Sequence, residues 1–138
     1  MKIALPWWLV LIVVIETVPM FLGPVAALTR PGFMGGPEAE TINQAAYIYT
    51  ARNVAVGVAL LFALALRSGP MLFILILVRL ITDIIDLPTI LNFDVASNEP
   101  RVIAIFVFLY YIPAGYALWW LWREMRRGGE PAPEREAP

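Results

Sequence analysis

The sequence predicts an all-α fold, a four-transmembrane-helix bundle with both termini cytoplasmic. Three observations carry this. The 138-residue chain is 60% hydrophobic and 15% charged, with a mean hydropathy of +0.74; a soluble domain carries about 25% charge. Four apolar stretches each approach the roughly 20 residues that cross a bilayer. The stretches are parted by Gly, Pro and Asn clusters that stop helices. The length suits one membrane domain, residues 1–127.

The first span covers residues 6–28. Lys2 ahead of it and Val25-Ala26-Ala27 near its end trace the outline of a cleaved signal peptide. The run carries Glu16 and is interrupted by Pro19 and Pro24, so it is read as a retained helix. Arg30-Pro31-Gly32 to Gly35-Gly36-Pro37 parts it from the second span, 44–66. Ser68-Gly69-Pro70 is so short a turn that the second span and the third, 70–91, form an antiparallel hairpin. Asn92 to Pro100 precedes the fourth span, 102–122, and Pro100 suits a helix start. Residues 128–138 hold Pro, Glu and Ala with no apolar face and read as a disordered cytoplasmic tail.

Positive residues set orientation. Lys2, Arg67, Arg123, Arg126, Arg127 and Arg135 fall on the side of the termini, against Arg30 and Arg101 on the other. The expected location is the bacterial cytoplasmic (inner) membrane, as a multi-pass protein. Trp7, Trp8, Trp119, Trp120 and Trp122 form an inner aromatic belt, with Phe33 and Tyr47 near the outer one.

Composition also excludes. A net charge of −1 gives no basic face for nucleic acid. Without cysteine there is no disulfide or thiolate chemistry, and without histidine the commonest general base is missing. Asp83-x-x-Asp86 has carboxylates that a hard cation favours. The motif is short and arginines stand near it, so no metal or cofactor is assigned.

Five ionisable residues lie inside the spans: Glu16, Arg52, Arg79, Asp83 and Asp86. A charge at mid-bilayer costs roughly 2.5–3.5 kcal/mol and faces the bundle interior. Rise per residue places Asp86 about 7 Å deep from the outer end, Arg52 and Asp83 about 12 Å, and Glu16 and Arg79 about 18 Å. Tyr110 and Tyr111 fall at about 13 Å. Arg79, Asp83 and Asp86 share one stripe of the third span. Ala51, Ala55, Ala59 and Ala63 form a small-residue row expected to pack the second span on the third. Asn53 and Gly57 form a second row. That packing would set Arg52 beside Asp83. Pro19, Pro88 and Pro113 free backbone carbonyls near the same level.

Three acids face two arginines. An arginine keeps its charge, whereas a lone carboxyl in low dielectric takes a proton. Glu16, by itself on the first span, is the odd group. Two readings follow for these charges: a salt-bridge network that fixes register, or the wall of a site. For Tyr110 and Tyr111 they are packing or a hydroxyl donor to a ligand.

The run Ala51-Arg52-Asn53-Val54-Ala55-Val56-Gly57, followed by Leu77-Val78-Arg79-Leu80-Ile81-Thr82-Asp83, resembles small four-helix bacterial membrane proteins of the DoxX-like group. The resemblance covers the second and third spans and implies a four-helix bundle in the cytoplasmic membrane. It implies no particular activity. The first span departs from the glycine-rich start of DoxX, so no redox-partner role is carried over.

The expected function is binding or acid/base transformation of a lipophilic small molecule, by isomerisation, cyclisation or epoxide opening. Glu16, Asp83 and Asp86 are the candidate catalytic groups. Arg52, Asn53, Arg79, Tyr110 and Tyr111 are the candidate substrate-binding groups. The alternative is a non-catalytic structural or accessory subunit. The expected partners are the lipid bilayer and the lipophilic molecule, with a homodimer left open.

Overall fold

The computed structural model describes residues 4–36, 39–92 and 99–127, apart from the side chains of residues 35, 89–92 and 99. The expected tail, 128–138, lies outside the described residues. Helices run α1 (Trp7–Thr29), α2 (Gly32–Gly35), α3 (Gln44–Ala65), α4 (Gly69–Asn92), α5 (Glu99–Ile105), a π-helical segment (Phe106–Tyr111) and α6 (Ile112–Arg127), with no strand among the described residues.

Local chemistry sets the boundaries. Pro6 holds extended backbone before α1, and the Arg30 N–H closes its last turn on the Ala26 carbonyl. The segment between the first two spans, expected as turn alone, contains the single turn α2. The Asn43 side chain caps α3 by accepting from the Ala46 N–H at 3.0 Å. α3 and α4 reverse through Leu66-Arg67-Ser68. Arg67 takes φ 51 where glycine is usual, and the Ser68 N–H reaches back to the Ala63 carbonyl at 3.1 Å. The expected tight hairpin is present.

The π segment follows from Pro113. A proline cannot donate to the preceding turn, and its ring crowds the carbonyl four residues back. Widening the helix by one residue relieves the crowding. The Ile112 N–H accordingly bonds to the Val107 carbonyl, five residues back.

Among the described residues, three helical stretches are long and apolar enough to cross a membrane: α1, α3 and the continuous rod Pro100–Arg127. α4 is 24 residues long. Any 18-residue stretch of it contains Arg79, Asp83 and Asp86, which sets it apart from the other three.

The long helices pack as a ring. α1 lies on α3, α3 on α4, α4 on α6, and α6 closes on α1 along the loosest seam. α1 and α4 are therefore diagonal partners. Their inward stripes share a 4-3-4 spacing: Leu9, Val13, Glu16, Met20 on α1 and Leu72, Ile76, Arg79, Asp83 on α4, all buried. Tyr110, Ala114, Ala117 and Leu121 repeat it on the last rod. This is the seam of left-handed bundle packing. Its half nearer the termini is apolar, a core of Leu9, Val13, Leu60, Ala63, Leu72, Ile76, Ala117 and Leu121. The other half is polar.

The alanine row does not do what was expected of it. Ala51 and Ala55 are exposed and only Ala63 is buried. α3 turns the other row inward, burying Asn53, Gly57, Leu60 and Ala63. The close approach it serves is to α1. A Cβ on Gly57 would meet the Met20 Cβ at 2.9 Å. A strict four-residue row drifts around a 3.6-residue helix, so it cannot stay on a seam with this spacing.

Candidate functional site

Four helices deliver the polar half. Glu16 comes from α1, Arg52 and Asn53 from α3, Arg79, Asp83 and Asp86 from α4, and Tyr110 and Tyr111 from the π segment.

The charges form two pairs of unlike exposure. Arg52 Nη2 donates to Asp86 Oδ2 at 2.8 Å, with side chains 44% and 24% exposed. Arg79 Nη2 lies 2.5 Å from Asp83 Oδ1, with side chains 11% and 2% exposed. Arg52 was expected beside Asp83, but Asp86 takes it, one helical turn nearer the outer end. The i, i+4 spacing lets Arg79 reach Asp83 within its own helix first.

Glu16 is less isolated than its sequence position suggests. Its Oε2 lies 3.9 Å from Arg79 Nε, across the diagonal of the ring. That separation is too long for a hydrogen bond. Both Glu16 carboxyl oxygens and Arg79 Nε are buried without a hydrogen-bond partner among the described residues. Thr17 beside it turns away, donating to the Val13 carbonyl at 2.6 Å.

The tyrosines divide. Tyr111 donates its hydroxyl to the Asp83 carbonyl at 2.9 Å, tying the π segment to α4. Half-buried Tyr110 stacks edge-on against Phe106 at 5.6 Å. Its hydroxyl is in the field of Glu16, Arg79 and Asp83. Asn53 donates to the Tyr49 carbonyl at 2.8 Å, an intrahelical bond.

Tyr49 and Thr50 were missed by the sequence reading. The Tyr49 hydroxyl occupies the space that a Cβ on Gly23 would need. Its ring packs on Phe33 at 6.0 Å, and the Arg52 guanidinium lies 5.9 Å from the ring centroid. The Thr50 hydroxyl is buried without a hydrogen-bond partner among the described residues. The available signal was spacing: Tyr49 stands three and four residues before Arg52 and Asn53.

No protein-family model, curated protein or solved structure matches the chain. The chemistry therefore rests on the side chains themselves.

A cavity of about 10 Å³ opens between the two pairs, lined by Met20, Arg52, Asn53, Val56, Arg79 and Thr82. One water needs about that space. A larger cleft of about 470 Å³, lined by Ala4, Leu5, Val10, Leu64, Ala65 and Arg67, lies at the opposite end and holds no acid. Chemically, the arrangement suits proton transfer. A carboxylic acid in a dry site, beside a fixed cation that stabilises its conjugate base, is a general acid.

Proposed function

We propose that this chain is a four-span protein of the bacterial inner membrane, with both termini cytoplasmic. Its Glu16–Arg79–Asp83 cluster serves as an acid/base site for a lipophilic molecule. One observation supports the site above the rest: the buried Glu16 carboxyl lacks any hydrogen-bond partner among the described residues. A purely structural ion pair satisfies its oxygens, because an unsatisfied buried polar atom costs about 1–3 kcal/mol. Such groups survive at sites of chemistry. Glu16 gives its proton to an alkene, epoxide or enol, and Arg79 holds the resulting carboxylate. Asp83 and Asp86 balance the arginines.

The fourth span draws support from the outward face of α4. Ile74, Leu77, Val78, Ile81, Ile84 and Ile85 are exposed and apolar, while Arg79 and Asp83 are buried. The likeness to DoxX-like proteins favours the same bundle. A lipophilic molecule approaches from the bilayer along the loose α1–α6 seam, past Tyr110.

The test is mass spectrometry of the organic extract from purified wild type, Glu16→Gln and Asp83→Asn. A discrete isoprenoid, sterol-like or quinone species in wild type, altered in either variant, is the expected result. Bulk phospholipid, unchanged among the three, refutes the site. The small cavity favours a second reading, a structural or accessory subunit held by its charges. That reading predicts that Glu16→Gln costs the fold as much as Asp83→Asn does.

A further inference from the structure

We propose that the larger cleft, between the start of α1 and the end of α3, seats the headgroup of an anionic phospholipid, with Arg67 on its phosphate. The inference concerns a second place on the molecule and stands whether or not Glu16 works as an acid.

The cleft lies at one end of the bundle. The layer of Leu9, Leu60, Ala63, Leu72 and Leu121 gathers there the start of α1, the end of α3, the start of α4 and the end of α6. Trp7, Trp119 and Trp122 are exposed at that end, and tryptophans of a membrane protein settle at headgroup level. The cleft measures about 470 Å³, within the roughly 300–1,000 Å³ of sites that hold small ligands. Ala4, Ala65 and Arg67 form its exposed rim, and Leu5, Val10 and Leu64 its half-buried floor.

Charge selects an anion. Arg67 is the one charged residue in the lining among the described residues. Arg123, Arg126 and Arg127, at the same end, are engaged. Arg123 stacks over Trp119 at 5.6 Å, Arg126 over Trp122 at 4.6 Å, and Arg127 lies 4.0 Å from Glu124. The Arg67 side chain has no ion pair, ring contact or hydrogen bond among the described residues. Its φ of 51 is one that glycine takes without strain, so this side chain is carried against the backbone's preference. The end of α3 would repel an anion through its free carbonyls. Those of Phe62, Ala63 and Leu64 instead accept from the N–H groups of Leu66, Ser68 and Arg67. α1 opens at the same end and presents the positive pole of its dipole.

The walls select a lipid over a dissolved anion. A dissolved phosphate needs donors on several sides, and Ala4, Leu5, Val10 and Leu64 offer apolar side chains only. A phospholipid meets both demands. Its phosphate takes the paired N–H donors of the guanidinium, and its glycerol and first methylenes cover the apolar floor. A net anionic headgroup is favoured over phosphatidylcholine, whose tethered ammonium the surrounding arginines repel.

Native mass spectrometry of the full chain, titrated in detergent with phosphatidylglycerol or phosphatidylcholine of matched acyl chains, tests this. Wild type should hold phosphatidylglycerol the more tightly. Arg67→Gly removes the guanidinium and relieves the backbone. It should weaken phosphatidylglycerol about tenfold or more, the affinity equivalent of losing one charge-assisted hydrogen bond. Ala65→Trp, which fills the cleft without touching a charge, should weaken it as well, while Arg123→Gln should change it little. Equal losses in Arg67→Gly and Arg123→Gln would mean a diffuse surface attraction and overturn the site. Unchanged binding in Ala65→Trp overturns it too. Displacement of the lipid by millimolar inorganic phosphate would make the occupant a dissolved anion and overturn the lipid assignment. If Arg67→Gly does not fold, Arg67→Gln and Ala65→Trp carry the decision.

Discussion

Arg79→Met removes the cation that two buried carboxyls share, and its cost can be apportioned. Breaking a buried pair by taking one partner costs about 3–5 kcal/mol. Coulomb attraction scales inversely with distance at equal dielectric. Asp83 at 2.5 Å then holds Arg79 about 1.6-fold more strongly than an ionised Glu16 at 3.9 Å, the ratio of the two distances. An ionised Glu16 would account for about 1–2 kcal/mol of the total, and a protonated one for almost none. The acid role therefore expects Arg79→Met and Asp83→Asn to be costly, with Glu16→Gln, which keeps shape and neutrality, below about 1 kcal/mol. Arg79→Met with Asp83→Leu should recover most of the loss. Reversible unfolding in bicelles, followed by tryptophan fluorescence, measures all four. Equal costs for Glu16→Gln and Asp83→Asn would refute the acid role of Glu16.

Three further outcomes are expected. Arg52→Met breaks a pair whose side chains are 44% and 24% exposed, so the same unfolding assay should register only about 0.2–1 kcal/mol. Gly57→Ala drives a Cβ to 2.9 Å from the Met20 Cβ, an overpacking cost of about 1–3 kcal/mol against a helix-propensity gain of about 1. A lower melting temperature is the expected sign, and a higher one would remove the tight α1–α3 contact from the account. Pro113→Ala restores the missing donor, so the π segment should tighten to α-helix and turn Tyr111 off the Asp83 carbonyl. Engineered cysteine pairs between the π segment and α4, in a chain with no cysteine of its own, report that shift by their crosslinking pattern.

Helix positions were legible because hydrophobic runs and Gly/Pro breaks are local signals. The span expected at 44–66 is Gln44–Ala65, and the one at 70–91 is Gly69–Asn92. The set of charged residues was legible too, since burial cost alone marks them. Their partners were not. Rise set Arg52 level with Asp83, but Asp83 is taken by Arg79 within α4 and Arg52 reaches Asp86 instead. Rotation was misjudged because the alanine row looked like the seam, while Gly57 held the close contact. The 4-3-4 spacing shared by Glu16 on α1 and Arg79 on α4 was present in the sequence. It gains meaning only once the two helices are known to face each other across the ring. Tyr49 went unread because a tyrosine near a helix start needs only the membrane interface to explain it.

The turn at Leu66-Arg67-Ser68 bears on how the chain enters a membrane. α4 alone would present three charges to lipid, each opposed by about 2.5–3.5 kcal/mol at the centre of a span. Arg52 on α3 neutralises Asp86, and so abrupt a reversal leaves α3 no way to insert far ahead of its neighbour. In a four-span protein the pair would leave the translocon as one hairpin, α3 carrying in the counter-charge that its partner lacks. Lengthening that turn with a flexible insert would uncouple the two steps and expose α4 to failed insertion, even where the finished bundle tolerates the extra residues.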